Sequence, residues 1–238
     1  MKSYTIHLIR HGLTDGNTKG QYIGSTDVPL ALEGLTQLLQ LKERFQYPNA
    51  DAYFTSPLLR CQQTLKALYP QATPLVIPGL AECSFGKWEG KTANELQNDP
   101  EFVQWMEAGG KDAPPEGESS AQFQTRCCEA FSKVVEGLMK TGTTSAVIVT
   151  HGGVIMTLLA TFGLPRANFY DWLVDNGCGY SIRVTPNLWM RGQVVEVYEQ
   201  LPLGIQDPDS GNQTIVLDIA REAANRAWGD VEDHLEES

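Results

Sequence analysis

Two nearly continuous runs of apolar, strand-forming residues constrain the fold of this 238-residue chain more than any other feature. They are "YTIHLI" at residues 4–9 and "SAVIVT" at residues 145–150. Runs without a polar face are typical of strands buried on both sides, as in a parallel sheet between two layers of helices. Basic residues follow both runs, "RHG" after the first and "HGG" after the second. We therefore expect both strand ends to contribute to one site.

The remaining pattern extends this architecture. Further strand-like runs lie at 51–55, 73–77, 179–185 and 193–198, and helical patterns lie near 31–46, 57–69, 118–140 and 153–162. The alternation predicts an α/β fold, with a mostly parallel central sheet and helices on both faces. The last two strand-like runs are separated by "PNLWMRG" and predict a hairpin-type pair at a sheet edge.

One long segment interrupts the alternation. Residues 84–117 contain tryptophans, phenylalanines and the turn-rich stretch that begins "GGKDAPPEG". A long excursion between core elements is usually functional, so we expect a cap segment over the site. We expect residues 1–203 to form one domain that includes this cap. We expect residues 204–238 to form an appended acidic tail with a short amphipathic helix.

The distribution of charge limits the partners. The net charge is −11, of which −7 lies in residues 201–238, so −4 remains for the first 200 residues. Nucleic acid is disfavoured because its binding needs a broad basic surface. A small anion remains compatible with the sequence if a few basic residues converge in a cleft. The sequence leaves the oligomeric state open.

The sequence also indicates where such a chain works. It has no apolar run of roughly 20 residues, the length of a membrane span, and no signal-peptide pattern at its start. Its five cysteines are odd in number and form no C-x-x-C pair. They predict reduced thiols in a cytoplasmic protein, with neither a metal nor another cofactor.

Five chemically active side chains fall at or after predicted strand ends. Arg10 and His11 close the first strand, Arg60 follows the second, Glu82 the third and His151 closes the fourth. In an open α/β sheet, ligands bind outside the carboxyl ends of the strands. Two guanidinium groups and two imidazoles predict a pocket of N–H donors that matches the oxygens of a phosphate group.

This set of residues predicts a reaction. Neighbouring arginines favour the neutral form of His11, and a neutral imidazole can attack phosphorus to form a phosphohistidine. Arg10, Arg60 and His151 would stabilise the charge of the transferring group. Glu82 would protonate the departing alkoxide and later deprotonate water. The arginines supply the positive charge, so the reaction needs no metal.

Five motifs together resemble one known family. "LIRHGLTDGN", "TSPLLRCQQT", "ECSFGKWEG", "PEGES" and "VTHGG" occur here in the order typical of the histidine phosphatase superfamily, in its phosphoglycerate-mutase-like branch. A single R-H-G would be weak evidence, but five ordered motifs are specific. The resemblance spans residues 8–153, is weaker up to about residue 200 and implies the phosphoglycerate-mutase-like fold.

The resemblance also implies roles for individual residues. His11 corresponds to the phosphorylated nucleophile and Glu82 to the acid and base. Arg10, Arg60 and His151 correspond to the phosphate clamp. Asn17 corresponds to an asparagine that also approaches the phosphate.

Three departures separate this chain from the mutases of the family. Leu13 stands where mutases commonly have Glu or Gln, and Glu82 and His151 are closer in sequence than in mutases. "FGKWEG" resembles the phosphatase members, among them the α-ribazole phosphatases. We therefore expect hydrolysis of a small phosphorylated metabolite, such as a sugar phosphate, phosphoglycerate or α-ribazole phosphate. A bisphosphoglycerate-dependent phosphoglycerate mutase and an inactive phosphate-binding protein remain the alternatives.

Other residues are candidates for the rim and floor of the pocket. The candidates for substrate binding are Ser25, Thr26, Gly152, Glu118 and Ser119. The glycines at 12, 152 and 153 would let backbone amides approach the phosphate. Residues 25–26 can equally form a polar turn, and residue 119 can cap the following helix.

Several other side chains have structural readings. His7 lies inside the first strand and is expected to be a hydrogen-bonded core residue. Arg126 is expected to be structural. Trp88 and Trp105 are compatible with either cap packing or substrate stacking.

Overall fold

The computed structural model describes residues 2–205, so Met1 and most of the predicted tail, from residue 206 onwards, lie outside the described residues. The strands are β1 (Tyr4–Arg10), β2 (Ala52–Thr55), β3 (Leu75–Val76), β4 (Ser145–Thr150), β5 (Gly163–Leu164), β6 (Gly179–Val184) and β7 (Val195–Leu201). The helices are α1 (Asp15–Thr18), α2 (Leu32–Arg44), α3 (Leu59–Leu68), α4 (Ala93–Leu96), α5 (Pro100–Glu107), α6 (Ser120–Thr141), α7 (Gly152–Phe162) and α8 (Pro186–Gly192). Short 3-10 helices span Pro78–Leu80, Gly86–Trp88 and Phe169–Trp172.

The strands form one sheet in the order β3-β2-β4-β1-β6-β7-β5. The pairs β1–β4, β2–β4, β2–β3 and β5–β7 are parallel, whereas β6 runs antiparallel to both β1 and β7. The predicted α/β fold with a mostly parallel sheet is confirmed. In the β1–β4 pair, Arg10 is level with Thr150, so the residues that follow both strands emerge side by side.

Both faces of the central strands are covered, which explains their continuous apolar sequences. On one face, Leu8 of β1 and Ile148 of β4 belong to a cluster that includes residues of α6 and α7. On the other face, Ile9 and Val149 belong to a second cluster that includes residues of α2 and α3. All four side chains are fully buried. Alternate residues of each strand therefore serve the two halves of the core.

The predicted pairing of the last two strands is confirmed, but its location and connection were wrong. β6 lies inside the sheet, and the edge beyond β7 is formed by β5, which is too short to predict from a sequence pattern. The connection "PNLWMRG" folds as α8. Pro186 occupies its first turn, where a missing N–H costs nothing, and Trp189 packs against Phe131 and Phe162 with ring centroids 5.8 and 5.4 Å apart. The packing of Trp189 in the core thus favours a helix over the predicted hairpin connection.

The excursion at residues 84–117 contains α4, α5 and the second 3-10 helix. It has its own small hydrophobic cluster, formed by Trp88, Leu96, Phe102 and Trp105. The two tryptophans are almost fully buried, with ring centroids 5.2 Å apart. The structure thus agrees with the first of the two interpretations of these tryptophans, in which they pack within the segment 84–117. The domain limits and the role of this segment as a cap remain predictions.

Two simpler expectations can be checked against the described residues. All five cysteines have free thiols, as predicted. None of the helices between residues 2 and 205 is long and apolar enough to cross a membrane.

His7 is a core residue, as predicted. It is 6% exposed, and its Nδ1 lies 2.8 Å from the Ser181 hydroxyl oxygen on β6. Burial lowers the pKa of the imidazole to about 4. Between this value and the ordinary pKa of about 6.5, the unfolded chain binds a proton that the folded chain does not. His7 therefore weakens the fold as the pH falls through this range.

Replacing His7 by Gln, which retains hydrogen-bonding capacity without titrating, should make stability less dependent on pH. Between pH 6.5 and 4, the slope of the free energy of unfolding against pH should decrease by up to about 1.4 kcal/mol per pH unit. Urea unfolding over this range measures the slope. The same slope in the variant and the wild type would contradict the assignment.

Candidate active site

Two histidine rings meet where β1 and β4 end. The ring centroids of His11 and His151 are 5.2 Å apart, with an angle of 64° between their planes. The rings belong to residues that are 5% and 0% exposed. The parallel pairing of β1 and β4 brings the two rings together, because each histidine directly follows the carboxyl end of its strand at the same edge of the sheet.

Hydrogen bonding selects one tautomer of His11. Its Nδ1 lies 2.6 Å from the carbonyl oxygen of Gly12. A carbonyl can only accept, so Nδ1 carries the proton and Nε2 keeps its lone pair. Burial and then the charges of Arg10 and Arg60 hold the pKa of the His11 imidazole well below its ordinary value. His11 is therefore a neutral imidazole with an unprotonated Nε2, the form that attacks electrophiles.

His151 is held from the opposite side. Its Nε2 lies 2.7 Å from the Ser56 hydroxyl oxygen and 3.4 Å from the Cys61 sulfur. Burial, followed by His11 and the nearby arginines, lowers the pKa of His151 well below its ordinary value. Sequence reasoning missed Ser56 and Cys61. Their place in the motif "TSPLLRCQQT" was the available signal, but a sequence pattern does not show which hydroxyl reaches an imidazole.

Both arginines are anchored at one end and unpartnered at the other. Arg10 donates from Nη1 to the carbonyl of Val174 at 2.6 Å. Arg60 donates from Nη2 to Gly24 at 2.6 Å and from Nη1 to Thr26 at 2.9 Å, again to carbonyl oxygens. The Nε atoms of both arginines are buried and have no hydrogen-bond partner among residues 2–205.

Two buried, unsatisfied charged donors whose charges act on the same imidazole require an explanation. A buried donor without a partner costs about 1–3 kcal/mol, and more when it is charged. Burial lowers the pKa of both guanidinium groups, while the Glu82 carboxyl opposes this effect. An oxyanion with several acceptor oxygens would satisfy both Nε–H groups at once. The arrangement thus fits a phosphate-like ligand.

The carboxyl group of Glu82 lies at the start of α7. Its two oxygens accept hydrogen bonds from the backbone N–H groups of Cys83 at 3.0 Å and Gly153 at 3.1 Å. Burial raises the pKa of Glu82, although these hydrogen bonds and both arginines oppose the shift. A Cβ atom at Gly153 would lie 2.5 Å from a Glu82 oxygen, so a larger residue here would displace this carboxyl group.

Arg126 supports Glu82 from behind and is structural, as predicted. It donates to the carbonyl oxygens of Gly79 and Ala81, both at 3.0 Å, and forms an ion pair with Glu118 at 2.7 Å. The carboxylate of Glu118 is therefore engaged by Arg126 in this structure.

Ser119 occupies the position of a helix cap. Its hydroxyl accepts from the N–H of Gln122 at 3.2 Å, and Gln122 bonds back to the Ser119 N–H, which closes a capping box at the start of α6. Of the readings weighed for Ser119, this is the structural one. A contact of Glu118 or Ser119 with a substrate stays a prediction.

Two of the three predicted glycine amides point elsewhere. Gly12 donates to the Thr64 hydroxyl at 2.9 Å and Gly153 donates to Glu82, so the expectation that they face the phosphate was wrong. Gly152 lies against Arg10, since a Cβ atom there would be 3.2 Å from the Arg10 Nε. Gly152 begins α7 after His151, whose own side chain makes no capping hydrogen bond to this helix start.

Asn17 takes part in a local cap. Its Oδ1 accepts from the Thr14 backbone N–H at 3.1 Å and from the Thr14 hydroxyl at 2.8 Å, at the start of α1. A direct contact between Asn17 and a phosphate stays a prediction.

Ser25 and Thr26 lie in the loop that receives Arg60. Their backbone N–H groups each donate to one oxygen of Glu89, both at 2.7 Å. Sequence reasoning missed Glu89, although it belongs to the quoted motif "FGKWEG". The residues form the polar turn that was considered for this segment, and their contact with a substrate stays a prediction. Among residues 2–205, no group of three or more His, Cys, Asp or Glu is arranged to hold a metal ion.

This geometry predicts an oxyanion site. Inorganic phosphate or orthovanadate should raise the melting temperature of the wild-type protein, because a ligand that binds only the folded state stabilises it. Replacing Arg60 by Met removes the N–H donors at similar length and should weaken the affinity about 10- to 100-fold. Titration calorimetry with orthovanadate measures this change.

Arg183→Met is the matched control. Arg183 is exposed and lies over the ring of Tyr198, 5.0 Å from its centroid, and this change should leave the affinity unaltered. Equal affinities of the wild type and the Arg60 variant would contradict an oxyanion site at Arg60.

Comparisons with known proteins identify the family of this chain. The family model of the histidine phosphatase superfamily (branch 1) matches residues 6–194. The adenosylcobalamin/alpha-ribazole phosphatase of Escherichia coli is 30% identical over 182 residues, which cover 74% of this chain and 88% of that protein. The 2,3-bisphosphoglycerate-dependent phosphoglycerate mutase of Rhizobium etli is 28% identical over 188 residues, which cover 71% of this chain and 84% of that protein.

A solved structure agrees as well. The alpha-ribazole phosphatase from Shigella flexneri superposes with a TM-score of 0.70 at 27% identity, covering 82% of this chain and 94% of that chain. The family model spans most of this chain, from within β1 to the residue before β7. The chain belongs to the histidine phosphatase superfamily.

Proposed function

We propose that the protein is a metal-independent phosphomonoesterase that works through a phosphohistidine at His11. The observation that carries this proposal is the environment of the His11 ring. Its Nδ1–H is bound to the Gly12 carbonyl, so the Nε2 lone pair is available. Arg10 and Arg60, whose charges act on this imidazole, each have a buried Nε–H without a partner among residues 2–205. A nucleophile next to unsatisfied cationic donors is the arrangement that phosphoryl transfer requires.

In the first step, the phosphoryl group of the substrate binds between the arginines. The Nε2 lone pair of His11 attacks phosphorus, a P–N bond forms and the P–O bond to the alcohol breaks. Glu82 in its acid form gives its proton to the departing alkoxide. Arg10 and Arg60 stabilise the oxygens of the transferring group.

The second step regenerates the enzyme. Glu82, now a carboxylate, takes a proton from water while the water oxygen attacks phosphorus. The P–N bond breaks, its electron pair returns to Nε2 and inorganic phosphate leaves. The raised pKa of Glu82 suits a group that must act first as an acid and then as a base.

Hydrolysis is preferred over isomerisation. Leu13 offers no polar group where the mutases commonly have Glu or Gln, and the motif "FGKWEG" resembles the phosphatase members. The Rhizobium etli relative keeps mutase activity as the second candidate. Incubation with 3-phosphoglycerate and a trace of 2,3-bisphosphoglycerate separates the two. Rapid formation of 2-phosphoglycerate without free phosphate would overturn the proposal.

The proposed substrate is a small phosphorylated metabolite, and the proposed location of the protein is the cytoplasm. α-Ribazole phosphate is the first to test, because the Escherichia coli and Shigella flexneri relatives carry that substrate in their names. Sugar phosphates and phosphoglycerates are the others. A panel of phosphomonoesters assayed in EDTA tests both the substrate and the independence from metals. No turnover on any member would instead favour a phosphate-binding protein.

Replacing His11 by Ala should reduce turnover by a factor on the order of 10⁴ or more, because the covalent step is lost. The wild type, mixed with ³²P-labelled substrate and quenched in alkali, should carry label that acid releases, as expected of a phosphohistidine. His7→Gln is the control. His7 is buried against Ser181, so this variant should retain the label. Labelling of the His11 variant would rule out the assignment of the nucleophile.

Replacing Glu82 by Gln should affect poor leaving groups most. For an alkyl phosphate, kcat/KM, which reports the phosphorylation step, should fall by about 100-fold or more. For p-nitrophenyl phosphate it should fall much less, because the phenolate needs little protonation. In the wild type, alkyl phosphate hydrolysis should decline as the pH rises through the raised pKa of Glu82. Equal losses on both substrates would remove Glu82 from the acid role.

A further inference from the structure

We propose that Glu89 is a positioning residue that acts through Arg60, by holding the loop whose carbonyl groups orient the guanidinium. The inference rests on the proposed function, in which Arg60 binds the transferred phosphoryl group. Glu89 lies in the segment 84–117 and has not been given a role in the chemistry above. Its carboxylate joins this segment to the loop at residues 24–26.

The orientation of Arg60 depends on that loop. Two of its three guanidinium nitrogens donate to the carbonyl oxygens of Gly24 and Thr26, which flank Ser25. These two bonds fix the plane of the group and therefore the direction of the remaining Nε–H, which is buried without a partner among the described residues. A shift of the loop would turn this donor away from the phosphate.

The loop has no helix or strand of its own between residues 22 and 31. Glu89 holds the loop through hydrogen bonds to its backbone. One carboxylate oxygen accepts from the Ser25 N–H at 2.7 Å, from the Ser25 hydroxyl at 3.0 Å and from the Phe85 N–H at 3.0 Å. The other oxygen accepts from the Thr26 N–H at 2.7 Å. One carboxylate thus binds the backbone on both sides of the peptide bond between Ser25 and Thr26.

Close packing at Gly24 also limits the movement of the loop. A Cβ atom at Gly24 would lie within 1.7 Å of the Cys83 carbonyl oxygen, so the backbones of the two segments touch. The carboxylate and this contact together hold the Arg60 acceptors against residues 83–89.

Charge acts in the same direction as geometry. Burial alone would raise the pKa of Glu89, but the hydrogen bonds from Thr26, Phe85 and Ser25 outweigh it and the pKa is lowered. Glu89 is therefore ionised at neutral pH, and its charge favours the protonated form of Arg60. Glutamine at this position would keep the size but lose the charge and place an amide NH₂ against N–H donors.

A double-mutant cycle separates positioning from a general structural role. The variants are Glu89→Gln, Arg60→Met and the combination of both, assayed with p-nitrophenyl phosphate. In the wild-type background, Glu89→Gln should lower kcat/KM by about 10- to 100-fold, as misplacement of a binding group by around 1 Å does. In the Arg60→Met background, the same change should alter kcat/KM by less than about twofold, because the group it positions is absent.

The matched control is Glu95→Gln in the same segment. Glu95 also accepts hydrogen bonds from a backbone N–H and a hydroxyl, both of Thr92, but these bonds close a helix cap and do not involve the 24–26 loop. This variant should stay within about twofold of the wild type in both backgrounds, as expected of independent sites. Melting temperatures establish that each variant is folded.

A second variant displaces the loop directly. The Cβ atom of Gly24→Ala would lie 1.7 Å from the Cys83 carbonyl oxygen and 2.8 Å from a Glu89 oxygen, so the loop and the carboxylate would have to separate. This variant should show the same dependence on Arg60. If Glu89→Gln or Gly24→Ala lowers kcat/KM by the same factor with and without Arg60, the proposal is overturned.

The affinity for orthovanadate, measured over the same cycle, keeps this inference distinct from the proposed function. A wild type that binds vanadate but does not hydrolyse p-nitrophenyl phosphate would contradict the hydrolase proposal. The positioning of Arg60 would then be judged by the binding cycle alone, where coupling between residues 60 and 89 supports it and additive losses overturn it. A wild type that binds no vanadate would overturn both.

Discussion

The site depends on the parallel pairing of β1 with β4. In this register Arg10 stands level with Thr150, so the next residues along the two strands, His11 and His151, emerge at one edge with their rings 5.2 Å apart. A shift by one residue would turn every side chain of one strand to the opposite face and disrupt the packing of both buried clusters. The core thus fixes the relative position of the two imidazoles before any polar contact contributes.

Polar contacts then decide the state of each group. The carbonyl of Gly12 selects the tautomer of His11, and the Ser56 hydroxyl lies against His151. Burial and the two guanidinium groups keep both rings neutral. The guanidinium groups are held by backbone carbonyls at their tips, and each keeps one buried Nε–H without a partner in the described part of the chain. The fold places unsatisfied positive donors near a neutral imidazole, which favours the binding of an oxyanion and opposes protonation of the imidazoles.

Segments far from the strand ends complete the arrangement. Arg126 ties Gly79 and Ala81 together ahead of Glu82, and Glu89 ties the loop that receives Arg60 to the long segment before α6. The two supports resemble each other, because in both one charged side chain gathers several backbone groups. A site that uses loops as well as strands needs such supports, since irregular backbone has few hydrogen bonds of its own.

The sequence by itself determined the fold class and the identity of the charged residues at the strand ends. Strands buried on both faces leave a local pattern, and so does an R-H-G or T-H-G-G motif that follows them. Only the tertiary structure decided that "PNLWMRG" becomes α8, that the amides of Gly12 and Gly153 serve Thr64 and Glu82, and that Glu89 binds the 24–26 loop. These outcomes depend on which groups meet after the core has packed, across as many as 71 positions of the chain for Gly153 and Glu82. Periodicity and spacing report on neighbours in the sequence, and hydrogen bonds between distant segments leave no such local pattern.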